Sequence, residues 1–302
     1  MQNRLKQHEK KRTIFQGLYF LVTNAHLSGF VTGEIYQGPT KHVCVPGLNC
    51  YSCPGAMGAC PMGSLQASLY DTRQLFPFYV LGLLMTFGLI FGRLICGFLC
   101  PFGFLQDLLA KLPVKKYRLE QKKPRLDRVL RNVKYLILIF FVLVLPLLGR
   151  FYPSLMSPWF CKYICPSGTI FAGWPMLTLN ETLRPLMGFI FSWKTTLAIA
   201  IVALAIFIPR FFCRYMCPLG ALYGLFNKVS LYQLKFQEEA CIHCGACKRA
   251  CPMGVDMPNQ YKSPECVRCG RCVASCPTSC LSSGFGSKAK EPLTKSGKAS
   301  EA

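Results

Sequence analysis

The sequence is poor in histidine. It has four histidines in 302 residues, and only His26 lies in a long apolar segment. A membrane cytochrome with several haems needs histidine pairs within its spans, so that class is excluded. Neither a Walker A run, a dinucleotide fingerprint nor a Ser/His/Asp arrangement is evident. We therefore expect no bond-making chemistry from the chain and do not predict an enzyme.

Acidic residues are also scarce, at 13 against 35 lysines and arginines, which gives a net charge of +22. The basic residues lie beside apolar segments, as the positive-inside rule describes, so the charge predicts orientation in a membrane and not a nucleic-acid partner. These basic loops would also suit an acidic soluble ferredoxin or flavodoxin. The main basic residues are Arg4, Lys6, Lys10, Lys11, Arg12, Lys111, Lys115, Lys116, Arg118, Lys122, Lys123, Arg125, Arg128, Arg131 and Lys134.

Long apolar segments are present, and 52% of the residues are hydrophobic. Four segments approach the roughly 20 residues that a hydrocarbon core of about 30 Å requires. They predict a mostly α, four-span domain over residues 13–235, after a basic cytoplasmic N-terminus at 1–12, with spans at 13–33, 75–95, 131–149 and 191–209. A shorter segment at 166–179 contains Gly173 and Pro175 and predicts a re-entrant or interfacial half-helix. On this topology the chain is cytoplasmic from residue 210 onward.

Two cysteine runs follow the membrane domain. Each has the C-x2-C-x2-C-x3-C-P spacing of bacterial two-cluster ferredoxins, in which the fourth cysteine of each run binds the other run's cluster. A zinc ribbon would use two C-x2-C knuckles and no C-x3-C-P tail. We therefore predict an α+β ferredoxin domain over 236–280 and a disordered tail at 281–302. One [4Fe–4S] cluster is assigned to Cys241, Cys244, Cys247 and Cys276, and the second to Cys266, Cys269, Cys272 and Cys251.

Other cysteines form an internal repeat. The frame R-x2-C-x3-C-P-x-G-x-L-x2-L-x3-K is shared by residues 93–111 and 210–228. Each copy follows a predicted span, so Cys96, Cys100, Cys213 and Cys217 could meet at an inner, membrane-edge centre. Proline after the last cysteine suits the first position of a helix whose positive end would face an anionic cluster. Arg93 and Arg210 would compensate charge at this centre.

Six more cysteines fall on the predicted outward side. Cys161 and Cys165 repeat the C-x3-C-P-x-G core, and Cys60 begins a C-P-x-G segment of its own. We predict an outer centre held by Cys53, Cys60, Cys161 and Cys165. Cys44 and Cys50 remain, and they could form a disulfide or replace Cys53 in the ligand set. Buried cysteines also serve as small apolar residues, but several C-x3-C-P copies disfavour that reading.

These motifs resemble the NapH/NosR-like membrane polyferredoxins, over about residues 12–280. The resemblance implies a multi-pass protein of the bacterial cytoplasmic membrane that moves electrons between a cytoplasmic donor or the quinol pool and a partner across the membrane, such as an extracytoplasmic reductase. The chain differs by lacking room for a large extracytoplasmic flavin domain. It also carries the additional cysteines of 44–60 and 161–165.

Three functions are compatible with this pattern. The leading hypothesis is an electron conduit with two [4Fe–4S] clusters in the ferredoxin domain and one or two further Fe–S centres at the C-x3-C-P motifs. A thiol–disulfide relay is the second, because Cys50 and Cys53 have redox C-x2-C spacing. The third is a redox-sensing or assembly subunit that keeps the clusters but does not pass electrons on.

Overall fold

The computed structural model describes residues 2–71, 77–257 and 259–286, and this part of the chain is mostly helical. Two strands and short 3₁₀ turns complete it. The helices are α1 (Gln2–Thr23), α2 (Gly29–Thr32), α3 (Pro61–Tyr70), α4 (Phe78–Phe91), α5 (Leu94–Phe98), α6 (Pro101–Leu109), α7 (Leu119–Lys122), α8 (Pro124–Gly149), α9 (Trp159–Tyr163), α10 (166–179), α11 (Phe189–Phe207), α12 (Phe211–Tyr215), α13 (Pro218–Leu225), α14 (Ala246–Ala250) and α15 (Arg271–Ala274). The strands are β1 (Tyr232–Phe236) and β2 (Leu281–Phe285).

Two helices in the described residues, α8 and α11, are long and apolar enough to cross a membrane. Helix α4 is apolar but has 14 residues. Helix α1 ends at Thr23, ten residues before the predicted end of the first span at 33. At this end the Thr23 hydroxyl donates to the Tyr19 carbonyl at 2.9 Å and the Asn24 side-chain amide donates to the Phe20 carbonyl at 3.0 Å. The four-span topology therefore stays a prediction.

Helix α10 covers the segment for which we predicted a half-helix. It begins at Pro166, passes through a π-helical stretch at Thr169–Gly173, and ends at Leu179. The π-helical stretch ends two residues before Pro175, which has no N–H to donate to the preceding turn. A half-helix of this length cannot cross a hydrocarbon core by itself.

The two strands enclose the ferredoxin cysteine runs. They pair antiparallel, with Tyr232 opposite Phe285 and Phe236 opposite Leu281. The predicted start of the disordered tail at 281 is therefore wrong, because Leu281 is buried in this ribbon beside Leu234. The ferredoxin unit extends over 232–285, and residues 287–302 of the predicted tail lie outside the described residues.

The ferredoxin unit packs on the helical unit through buried charges. Glu265 accepts hydrogen bonds from Arg93, at 3.1 Å, and from Lys134. Both cations are fully buried. Burial alone would raise the pKa of Glu265, but the two cations outweigh it and hold that pKa below its ordinary value. Arg93 also donates to the Pro264 carbonyl at 2.8 Å, so one arginine connects both units.

This contact generates a prediction about stability. The change Glu265→Gln leaves two buried cations without their carboxylate. We therefore expect it to lower the free energy of unfolding, measured in urea, by about 3–5 kcal/mol. The matched control is Glu181→Gln, because the Glu181–Arg184 pair is largely exposed and should contribute less than about 1 kcal/mol. Equal urea midpoints for the two variants would contradict the role assigned to Glu265.

Candidate iron-sulfur sites

The structure brings the ferredoxin cysteines together in two crossed groups. One cavity is lined by Cys241, Cys244, Cys247 and Cys276. A second is lined by Cys251, Cys266, Cys269 and Cys272. Cys276 therefore joins the first run and Cys251 joins the second, as in the grouping that the spacing predicts. We call these groups site 1 and site 2.

The two runs share one backbone conformation that wraps the chain around each site. His243 and Arg268, each directly before the second cysteine of its run, have φ of 50°. Gly245 and Gly270, directly after that cysteine, have φ of 67° and 76°. Glycine suits the latter positions because it carries no Cβ to clash in the left-handed region. This backbone conformation turns successive N–H groups toward one side, where they favour the binding of an anion.

Cys280 is an additional cysteine at site 1. Its Sγ lies 3.3 Å from the Cys276 Sγ, and it lines the same cavity. The sequence pattern gave Cys280 no role, because it falls after the proline that ends the second run. It lies one residue before β2, and the strand pairing places it beside the site.

The inner group consists of Cys96, Cys100, Cys213 and Cys217, which are all buried. Each thiol lies within electrostatic range of others in the group. Burial raises the pKa of Cys96, Cys100 and Cys213 to about 11. Thiolates would therefore persist here only with a cationic partner, which iron supplies when a cluster binds. Four buried sulfur ligands fit a [4Fe–4S] cluster.

Each of the two arginines of the repeat bonds to the other copy of the repeat. Arg93 donates to the Cys213 carbonyl at 2.6 Å, and Arg210 donates to the Cys96 carbonyl at 2.9 Å. Each arginine therefore fixes the first cysteine of the other copy. Asp107 pairs with Arg210 at 2.5 Å and with Arg12 at 3.2 Å. Burial would raise the pKa of Asp107, but these guanidiniums outweigh it and keep that pKa well below its ordinary value.

The last cysteine of each inner motif caps a helix. Cys100 precedes α6 and accepts from the Gly103 N–H at 3.4 Å, and Cys217 precedes α13 and accepts from the Gly220 N–H at 3.4 Å. The prolines that follow occupy the first turn of each helix. The predicted role of C-P-x-G as a helix start is confirmed, because the N–H groups at the helix terminus point toward the sulfur.

Sequence reasoning missed a glutamine at the inner group. The Gln106 amide donates to the Cys213 Sγ at 3.0 Å, and its oxygen accepts the Phe212 N–H at 3.1 Å. Gln106 therefore holds the opposite motif by two bonds. The signal was available, because C-P-x-G-x-L-Q occurs at both 60–66 and 100–106.

The outer group contains Cys50 in place of Cys53. One cavity is lined by Cys50, Cys60, Cys161 and Cys165, and Cys53 does not line it. The Cys53 Sγ instead lies 3.8 Å from the Asn24 side-chain oxygen. The predicted set with Cys53 is therefore corrected, because the backbone turn after Cys50 directs Cys53 toward the end of α1.

The Cys44–Cys50 disulfide, one of the two alternatives that the sequence left open, is absent, since both cysteines are free. The Cys44 thiol donates to the Ser64 hydroxyl at 3.4 Å, whereas Cys50 lies in the outer group. Of the two alternatives left open by the sequence, the structure favours replacement of Cys53 by Cys50. Cys44 and Cys53 lie outside all four groups.

The inner and outer groups are neighbours. A Cβ at Gly47 would stand 2.9 Å from the Cys100 Cα, and the next residue, Leu48, is two residues, at most about 7 Å, from Cys50. Buried Tyr223 donates to the Pro46 carbonyl at 3.1 Å and lies in electrostatic range of Cys96, Cys100 and Cys60. We expected these groups at opposite faces of a core of about 30 Å. That separation is wrong, because the apolar loop 45–49 folds back between the helices.

Gln106 generates a prediction about the inner group's reduction potential. Loss of a hydrogen bond to a ligating sulfur destabilises the reduced cluster. One such bond is worth about 1 kcal/mol, so Gln106→Leu should lower the midpoint potential by roughly 40 mV. Redox-titrated EPR measures this, with exposed Gln121→Leu as the control. An unchanged potential in Gln106→Leu would contradict the proposed bond to a ligand.

Comparison with known families agrees with these sites. The family described as 4Fe-4S binding domain matches residues 72–120 and 189–237, which contain the four inner cysteines. The family described as 4Fe-4S dicluster domain matches residues 233–277, which contain sites 1 and 2. The predicted ferredoxin domain is therefore confirmed. No solved structure matches the chain.

Several curated proteins are similar to part of the chain. An uncharacterized protein of Methanocaldococcus jannaschii is 34% identical over 170 residues, which are 55% of this chain and 54% of that protein. The putative electron transport protein YccM of Escherichia coli is 30% identical over 57% of this chain and 44% of its own length. The regulatory protein NosR of Pseudomonas aeruginosa is 31% identical over 57% of this chain and 22% of its own length.

These matches cover only part of each relative, about half of the archaeal protein and less of the other two. They nevertheless agree with the cysteine motifs in pointing to ferredoxin-type electron carriers. The chain contains 4Fe-4S-binding domains of the ferredoxin type, and its motifs resemble those of the NapH/NosR-like polyferredoxins.

Proposed function

We propose that the chain carries electrons along a continuous row of iron-sulfur sites, between the ferredoxin unit and the far end of the helical unit. The observation that carries this proposal is that each cysteine group is connected to the next through a direct contact. Cysteine thiolates supply the iron ligands, and the clusters supply one-electron redox chemistry when bound. The chain's own residues set the spacing, the burial and the charge of each site.

The first contacts in the row lie at the ferredoxin end. Met257 lines both ferredoxin cavities, so it separates site 1 from site 2 by a single side chain. A Cβ at Gly97 would stand 2.6 Å from the Val267 carbonyl. The backbone after Cys96 therefore packs directly on the loop that carries Cys266 and Cys269. Substitution of Gly97 would push site 2 away from the inner group.

Buried cations near these groups reduce the electrostatic repulsion between them. Arg210 lies in range of both Cys213 and Cys269, and Arg93 lies in range of Cys96 and Cys213. Thiolate-ligated clusters are net negative, so positive charge between two of them reduces their repulsion and stabilises the reduced state. The row then continues from the inner group toward the outer cysteines through Leu48 and Tyr223.

Two helices that are long and apolar enough to span, α8 and α11, support a membrane location. We infer a multi-pass protein of the cytoplasmic membrane with the ferredoxin unit on the cytoplasmic side, where the basic residues are concentrated. An acidic soluble carrier or the quinol pool would exchange electrons with one end of the row, and a redox partner across the membrane with the other.

The proposal predicts electron transfer across vesicles. In membranes that contain the chain, an impermeant low-potential donor outside should reduce an acceptor trapped inside. The Cys213→Ser change removes an inner ligand, so it should lower the rate to that of empty vesicles while the ferredoxin EPR signals persist. Cys44→Ser is the matched control, because Cys44 lies outside the four groups, and it should transfer at the wild-type rate.

Two outcomes would overturn the conduit. Equal rates in Cys213→Ser and wild type would show that electrons do not pass through the inner group. A fully loaded wild-type chain that transfers no faster than empty vesicles would leave a sensing or assembly role. Alkylation separates the thiol relay, since relay cysteines trap as mixed disulfides, whereas cluster ligands label only after iron is removed.

A further inference from the structure

We propose that Cys50, Cys60, Cys161 and Cys165 bind a further [4Fe–4S] cluster, in a site built like the inner one. All four cysteines lie outside the residues that the two 4Fe-4S families match. They line one cavity of about 640 Å³, which has room for a cluster. This inference extends the proposed electron path by one carrier and rests on that function.

The outer group repeats the glutamine contact of the inner group. The Gln66 amide donates to the Cys161 Sγ at 3.4 Å, and its oxygen accepts the Phe160 N–H at 3.0 Å. Gln106 makes the same two bonds to Cys213 and Phe212. In both groups a C-P-x-G-x-L-Q helix therefore holds the first cysteine of a C-x3-C-P motif elsewhere in the chain.

The helix caps are repeated as well. Cys60 precedes α3 and Cys165 precedes α10, each with proline at the first helical position. The N–H groups of Gly63 and Gly168 act electrostatically on these two sulfurs, although neither sulfur accepts a full hydrogen bond. At the equivalent positions of the inner group, Cys100 and Cys217 do accept a hydrogen bond from the glycine three residues on. Four helix N-termini in all thus face cysteine sulfur, two at each group.

A half-buried cation also occupies a matching place. Lys194 donates to the Cys161 carbonyl at 3.1 Å, which corresponds to the bond from Arg93 to the Cys213 carbonyl. Lys194 lies in electrostatic range of Cys50 and Cys165. No acidic side chain lines the cavity among the described residues. The site therefore has the charge expected around a net-negative cluster.

One buried hydroxyl at this site lacks a protein partner. The Ser167 Oγ makes no hydrogen bond within the described residues, although Ser167 is 1% exposed and lines the cavity. A buried hydroxyl without a partner is costly. A cluster sulfide beside Cys165 would accept this O–H, as protein donors to cluster sulfur do.

The four sulfurs of this site are spread as in the other three groups. Among the described residues, those of sites 1 and 2 and the inner group included, no three His, Cys, Asp or Glu side chains lie close enough to hold one ion. Tetrahedral zinc needs four sulfurs at about 2.3 Å from one centre. The four thiolates around a cubane can lie farther apart, because each binds a different iron atom.

The experiment compares two double variants of the full chain in membranes. Cys50→Ser/Cys161→Ser removes two proposed ligands, and Cys44→Ser/Cys53→Ser removes two nearby cysteines that the structure leaves outside the site. Iron and sulfide per chain are measured with EPR spin counts after reduction. We expect about sixteen iron atoms in wild type and in the control, and about twelve in the test variant, at four per cluster.

The outcomes are separable. A wild-type chain with about twelve iron atoms, unchanged by Cys50→Ser/Cys161→Ser, would overturn the fourth cluster and leave transfer through the other three intact. Loss of iron in the control would overturn the choice of Cys50. Intact ferredoxin and inner EPR signals show that the test variant folds. Gln66→Leu provides a milder variant, which should perturb only the fourth signal. The proposed function fails separately if Cys213→Ser transfers normally.

Discussion

The structure depends on how buried negative charge is neutralised where the two C-x3-C-P copies meet. A thiolate-ligated cluster away from water needs cations nearby, because an isolated buried charge costs far more than a hydrogen bond supplies. Arg93 and Arg210 meet this need by binding across the repeat, each to the first cysteine of the other copy. The same bonds require the copies to face one another. Charge compensation and assembly of the inner group are therefore one interaction.

The two arginines make matching bonds to the cysteines, but the carboxylates that balance them come from different parts of the chain. Asp107 balances Arg210, but the second copy has Gly224 at the corresponding position. Gly224 has no Cβ, and a Cβ at this position would stand 2.8 Å from the Pro264 carbonyl oxygen. The Pro264 carbonyl can therefore pack against Gly224, and the next residue, Glu265, balances Arg93. The ferredoxin unit thus supplies the carboxylate that the second copy lacks. Its docking on the helical unit is coupled to the electrostatics of the inner group.

A repeated motif was sufficient to predict the groups in which every ligand belongs to a copy of that motif. The crossed ferredoxin runs, the paired C-x3-C-P motifs and the helices that begin after each proline could all be predicted in this way. Contacts between distant segments that share no motif could not. Cys50 and Cys53 carry similar local signals, and the choice between them depends on how loop 45–49 packs against Cys100. The strand at 281–285 was missed because its partner is 45 residues earlier and it follows the last cysteine.

The position of that loop also changes how a conduit has to work. With groups at opposite faces, one long step of about 30 Å would have limited the rate. Loop 45–49 instead places the outer group beside the inner one, with Tyr223 between them. Electrons would then move in short steps from the ferredoxin unit to Cys50, and the remaining distance to a partner is set by the helical unit beyond the outer group. The outer group, and not the inner one, then becomes the place at which a partner would exchange electrons with the row.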